Sequence, residues 1–102
     1  MATEKPISRR TKEFKDRLSR LPGRVQETAM ERYRNYFSKD PFHPLLCRHD
    51  LHDVRDAPKE SFAVEMAYGY RAVGRHIESE NTYVWYRCGS HAEYDIRFAK
   101  GR

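Results

Sequence analysis

The stretch Thr82-Tyr-Val-Trp-Tyr-Arg-Cys-Gly-Ser-His-Ala-Glu-Tyr-Asp95 constrains this chain most. Val84, Trp85 and Tyr86 are β-branched or aromatic and read as a buried or half-buried strand. Gly89 and Ser90 are then expected to break it, and a polar run follows with His91, Glu93, Tyr94 and Asp95. A strand rooted in a core and ending in titratable groups gives those groups a rigid base, as sites commonly require. The remaining chain is expected to fix this strand end and to place arginines around it.

The residues before it alternate. Phe62, Val64 and Met66 interleave with Ala63, Glu65 and Ala67, a period of two that marks a strand over 61–67. Tyr68-Gly69 supplies a turn, residues 70–78 continue as the partner strand, and Ser79-Glu-Asn81 turns into a strand over 82–88. Three strands joined this way form an antiparallel meander. In the middle one, Arg71, Val73, Arg75 and Ile77 share one face, and Tyr70, Ala72, Gly74 and His76 share the other. Arginine at alternate positions of a central strand needs a reason, since a buried guanidinium needs a partner. An ion pair with Glu65 across the hairpin is the structural alternative for one of them.

The N-terminal third has the period of a helix. Phe14, Leu18 and Leu21 recur at i, i+4 and i+7, starting from about Thr11. Pro22-Gly23 ends that helix, and Pro22 also suits the first turn of a second, expected over 22–38. Its apolar side carries Val25, Ala29, Tyr33, Tyr36 and Phe37. Helices joined so tightly form a hairpin that must bury its stripes on another layer. Lys39-Asp-Pro-Phe-His-Pro44 is a loop, because two prolines three apart forbid helix and ladder alike. Residues 45–51 read as a first short strand and 53–60, with Pro58, as a connector. Residues 1–8 are expected to be flexible, residues 7–10 adding at most a short edge strand.

The fold class is therefore α+β: an N-terminal two-helix hairpin packed on one face of a small, mainly antiparallel twisted β-sheet. A single domain spans 1–102, near the commonest domain size. The helices cover one face only, so the other is open and partly cationic.

The net charge of +5 is uneven. Residues 1–39 carry 11 Lys/Arg against 5 Asp/Glu, a balance of +6, while 40–102 carry 9 against 10, a balance of −1. A small basic chain suits an anionic partner, nucleic acid or an acidic protein. Two cysteines, Cys47 and Cys88, are too few for a disulfide framework and read as reduced thiols of a cytoplasmic protein. No apolar run approaches the ~18 residues that cross a bilayer, so no membrane partner is expected. Cys47-x-His49-x2-His52 and Cys88-x2-His91 hold metal-ligand types, but their spacing follows no standard pattern. No metal and no cofactor are expected.

There is no Gly-rich phosphate loop, no carboxylate cluster spaced for two metal ions and no nucleophile-elbow serine. Histidine, arginine and tyrosine around one strand end remain, a set suited to cutting RNA without a metal. The attacking group is then the neighbouring 2′-hydroxyl, so the protein need only move protons and steady the phosphate. Histidine titrates near ~6.5 and serves as acid or base. Arginine offers a planar fork to phosphate oxygens, and tyrosine stacks on a base or orients the hydroxyl. The catalytic candidates are His91, Arg71 and Tyr94; Arg75, Arg87 and Arg97 are candidate RNA-binding residues.

The order of these pieces resembles the RelE/ParE superfamily of bacterial toxins from type II toxin–antitoxin pairs. The likeness lies in Phe14…Leu18…Leu21-Pro22, Asp40-Pro-Phe-His-Pro-Leu45, Gly69-Tyr-Arg-Ala-Val-Gly74 and Val84-Trp-Tyr-Arg-Cys-Gly-Ser-His-Ala-Glu-Tyr-Asp95. It spans roughly residues 9–97, with Trp-x3-Gly-Ser-His-x2-Tyr its most specific part. The resemblance implies metal-independent endonucleolytic cutting of mRNA on the ribosome, which inhibits translation, and a cognate antitoxin that wraps the toxin. DNA contact is implied only for the toxin–antitoxin complex. Arg71 matches the family's phosphate-contacting arginine, His91 its proton-transferring histidine, and Tyr94 lies near its usual aromatic. Arg48 and His49 match a strand with basic or histidine residues and join the RNA-binding candidates. Residues 61–67 depart from the pattern, with no Lys or Arg and with Glu65 where several active members are basic. The alternatives are a gyrase-targeting ParE-like toxin and a catalytically weak member that binds antitoxin or nucleic acid.

Overall fold

The computed structural model describes residues 6–51 and 60–90. Strand β1 (Ile7–Arg10) leads into helices α1 (Lys12–Ser19) and α2 (Gly23–Arg32). A short strand β2 (His49–Asp50) follows, then β3 (Ser61–Ala67), β4 (Tyr70–Ile77) and β5 (Thr82–Ser90). The sheet order is β1-β5-β4-β3-β2, antiparallel except for the β1–β5 pair. This is the expected α+β architecture, with the helix pair on one face.

Thr11 starts α1 as its N-cap: its Oγ1 accepts the Phe14 N–H at 3.1 Å, satisfying a donor with no helical partner. Its own N–H donates to the Trp85 carbonyl at 2.9 Å, which ties the helix start to β5. The second helix stays α-helical only to Arg32 and continues as a π-turn, Tyr33–Phe37, where the Ser38 N–H reaches back to the Tyr33 carbonyl. The wider turn keeps Tyr33 and Phe37 stacked at 5.5 Å, both on the core side.

Four expectations are corrected. Ile7 and Ser8, grouped with a flexible terminus, pair with Thr82 and Tyr83 in a parallel ladder. Residues 45–51 are not one strand: Pro44–Leu46 form a 3-10 turn, Cys47 takes a left-handed φ of 50°, and only His49–Asp50 pair with β3. Proline, which cannot donate to a ladder, delays the strand. The middle strand ends at Ile77, because Glu78–Glu80 form a 3-10 turn capped by left-handed Asn81. Gly89 and Ser90 do not break β5, since β4 supplies partners: Arg71 opposite Gly89 and Tyr70 opposite Ser90.

The core lies between helices and sheet. Phe14, Val25, Phe37 and Leu46 meet Phe62, Val64, Met66, Ala72, Tyr83, Trp85 and Cys88. Its centre is aromatic, with Trp85 edge-on to Phe37 at 5.0 Å and to Phe62 at 5.3 Å. Gly74 is the floor beneath them: a Cβ there would stand 2.9 Å from Trp85 Cε3 and 3.2 Å from Phe62 Cζ. Gly74→Ala is expected to cost about 1–3 kcal/mol through overpacking. An unchanged thermal midpoint would show that the two rings can move aside. Across the sheet a smaller cluster of Leu51, Ala63 and Val73, with Tyr86 against it, marks the second face.

Candidate nucleic-acid interface

Side chains of a strand alternate between faces, and in β4 this decides the site. Ala72 joins the core under the helices, while Val73 joins the cluster on the opposite face. Arg71 and Arg75 flank Val73 on that second face. The register then lays out three rows. Glu65, Arg71 and Gly89 make one, His49, Ala63, Val73 and Arg87 the next, and Ser61, Arg75 and Val84 the third. Directly opposed residues have Cβ atoms roughly 4.5–5.5 Å apart. The register thus brings Arg71, Arg75, Arg87 and His49 onto one face, with His49 at one end of a four-strand row and Arg87 at the other.

Two of these arginines have visible anchors or constraints. Arg87 Nη2 lies 3.3 Å from Glu13 Oε2, on the α1 segment that Thr11 fastens beside β5. Its charge is therefore partly matched by the helix pair. Arg75 keeps a buried Nε that hydrogen-bonds to no described residue. The Glu65–Arg71 pairing considered as a structural alternative exists in register, but the Glu65 carboxylate accepts from Arg32 Nη1 at 3.0 Å. Arg32 also reaches the Glu65 carbonyl at 3.3 Å.

Arg48 is not part of this face. Its guanidinium carbon sits 4.1 Å from the Phe42 ring centre and 4.1 Å from that of Phe62, a core residue on the helix side. Adjacent residues of an extended chain point to opposite sides, so Arg48 and His49 part company. His91, Tyr94 and Arg97 lie outside the described residues.

Tyr86 was missed. Between Trp85, opposite Gly74, and Arg87, opposite Val73, it is one extra residue, a β-bulge. The bulge puts Tyr86 on the second face, where its hydroxyl donates to Ser61 Oγ at 2.9 Å. Burial raises its pKa above the ordinary phenol value of 10.0, against the lowering pull of the Ser61 hydrogen bond and of Arg87 and Arg75. It is a neutral hydrogen-bonding group between two guanidinium groups. Only its aromatic character, in a strand otherwise read by alternation, hinted at this.

Among the described residues no three His, Cys, Asp or Glu side chains cluster as metal ligands. Cys47 is exposed and Cys88 buried, both free thiols. No described helix is long and apolar enough to cross a membrane.

Together the rows define an α+β domain with one helix-covered face and one basic face. No family model and no curated protein matches the chain. Solved structures do, and the fold they share with it is that of RelE-type toxins. The toxin–antitoxin complex RelBE2 from Mycobacterium tuberculosis is 21% identical, covering 85% of this chain and 99% of that one, with a TM-score of 0.66. The RelE–RelB complex of the archaeon Pyrococcus horikoshii is 9% identical over 85% and 96%, at 0.62. The YoeB/ParE toxin from Agrobacterium tumefaciens is 19% identical over 83% and 98%, at 0.63.

Proposed function

We propose that the protein is the toxin of a bacterial toxin–antitoxin pair and a metal-independent mRNA endoribonuclease that inhibits translation on the ribosome. The supporting observation is the face turned away from the helices, where Arg71 and Arg75 project from the central strand in the rows of His49 and Arg87. RNA supplies its own nucleophile. The 2′-hydroxyl oxygen bonds to the adjacent phosphorus as the bond to the 5′ oxygen breaks. One proton leaves the hydroxyl and one is delivered to the departing oxygen. Arg71 steadies the charge on the phosphate, His91 moves protons, and Tyr94 stacks on a base or orients the hydroxyl. Arg75, Arg87, Arg97 and His49 hold the strand, with Arg48 bordering the face. Tyr86, neutral and with its one hydroxyl hydrogen given to Ser61, accepts from a sugar hydroxyl.

An antitoxin is the second partner. The RelBE2 and RelE–RelB structures are complexes of this kind. Here an apolar cleft of about 320 Å³ opens between helices and sheet, lined by Phe14, Leu18, Met30 and Trp85, with Arg10 and Arg32 among its polar lining. Apolar depth with basic edges suits an acidic amphipathic segment.

Glu65, opposite Arg71, favours a second reading, a weak nuclease that acts mainly by binding. A gyrase poison is the third. Mapping transcript ends after brief induction of the wild-type and His91→Ala proteins separates them. New ends in the wild type alone are expected, along with arrested protein synthesis. The same ends in both would remove His91 from the mechanism, and DNA damage without new ends would favour gyrase.

A further inference from the structure

The segment Asp40-Pro-Phe-His-Pro-Leu45 has no role in the cleavage reading, yet it is built with care. Phe42 is 68% exposed. Exposed aromatic rings on loops are ordinarily free to swing, and this one is pinned. Asp40 Oδ1 accepts the Phe42 N–H at 3.0 Å, and the Asp40 carbonyl accepts the His43 N–H at 2.9 Å. The His43 ring packs on Tyr36 at 4.6 Å and its Nδ1 accepts the Leu45 N–H at 3.2 Å. Pro41 and Pro44 stiffen the backbone further. Beneath the ring lies Arg48, clamped in turn against Phe62 and donating to the Pro41 carbonyl at 3.5 Å. The result is a column, Phe62–Arg48–Phe42, buried at one end and ending in solvent at the other.

We propose that Phe42, backed by Arg48, is a stacking platform for an unpaired base of single-stranded RNA, outside the cleavage site. The chemistry fits. A nucleobase adds a further planar layer to a π–cation–π column, and sequence-tolerant stacking on an aromatic ring is the common way single strands are held. Arg48 and the exposed Lys39 attract phosphate; of the acids nearby, Asp40 is engaged through Oδ1 by the Phe42 amide, and Asp50 stands opposite Phe62 on the β2 edge. The platform lies around the β2 edge from the basic face: His49 stands at the end of the middle row, and Arg48, the preceding residue, turns to the helix side against Phe62. A strand that leaves the face past His49 and rounds this sheet edge meets the platform next. Other exposed apolar residues, such as Tyr68 and Ile7, have no guanidinium stacked behind them among the described contacts.

This inference rests on RNA being the substrate class, and the test separates the two. The full chain is titrated against a 2′-O-methyl RNA oligonucleotide, which cannot be cut because the attacking hydroxyl is blocked, carrying 2-aminopurine to report stacking. Phe42→Ala is expected to weaken binding roughly ten-fold and to lose part of the stacking signal. Phe42→Trp should retain both, and Phe42→Leu should behave like alanine. Unchanged thermal midpoints verify that each exposed replacement leaves the fold intact. Equal affinity of Phe42→Ala and the wild type, while the wild type still cuts ordinary RNA, overturns the platform alone. Full affinity in Phe42→Leu overturns stacking in favour of a non-aromatic apolar contact with the RNA. A wild type that neither binds nor cuts RNA overturns both this inference and the nuclease reading.

Discussion

Trp85→Ala is expected to destabilise the domain by roughly 3–5 kcal/mol, the range for removing a large buried aromatic. Domains of this size are held by only about 5–15 kcal/mol in total. At about 4–8 °C per kcal/mol, the thermal midpoint should fall by some 12–40 °C. The indole is 5% exposed and makes ring contacts with Phe14, Phe37 and Phe62 across the helix–sheet boundary. Relaxation cannot fill the hole cheaply, because the floor beneath is Gly74, which has no side chain to move into it. The indole Nε1 is buried with no hydrogen-bond partner among the described residues. Trp85→Phe therefore gives up volume but no hydrogen bond, and should cost much less. A loss below about 1 kcal/mol in Trp85→Ala would show that the two layers do not depend on this ring.

Arg71→Ala is expected to lower RNA cleavage on the order of 10²-fold, as removal of a transition-state charge contact does elsewhere. The loss should fall on kcat, with the thermal midpoint nearly unchanged. Arg71 occupies the β4 position paired with Glu65 on one side and Gly89 on the other, next along the face from the His49–Arg87 row. A purely structural arginine would behave differently, lowering the melting temperature while specific activity per folded molecule stayed whole. Arg71→Lys sharpens the comparison. It keeps the charge but loses the planar fork, so it should recover only part of the rate.

The sheet was readable from particular residues. Phe62, Val64 and Met66 alternate with smaller or polar neighbours, and all three entered the core beneath the helices. The same period placed Arg71 and Arg75 on one side of β4. A helix start near Thr11 was legible from the spacing of Phe14, Leu18 and Leu21, which recur at i, i+4 and i+7. Arg48 and His49 were grouped as one basic patch by resemblance, against the alternation that separates neighbours in an extended chain. Their parting needed no tertiary information to foresee.

Other features had no local signal. The bulge that turns Tyr86 onto the basic face arises because β5 carries one residue more than its partner between Val73 and Gly74. The Glu13–Arg87 ion pair joins two ends of the chain that meet only once β1 has laid α1 beside β5. By itself, the sequence determined the two helices and the three-strand meander and which side of each is apolar, because side-chain period follows from the covalent geometry of consecutive residues. Register, the bulge and the partner of each charged group were decided by the tertiary structure. Those depend on free energies of packing between segments far apart in the chain, and no window of adjacent residues contains them.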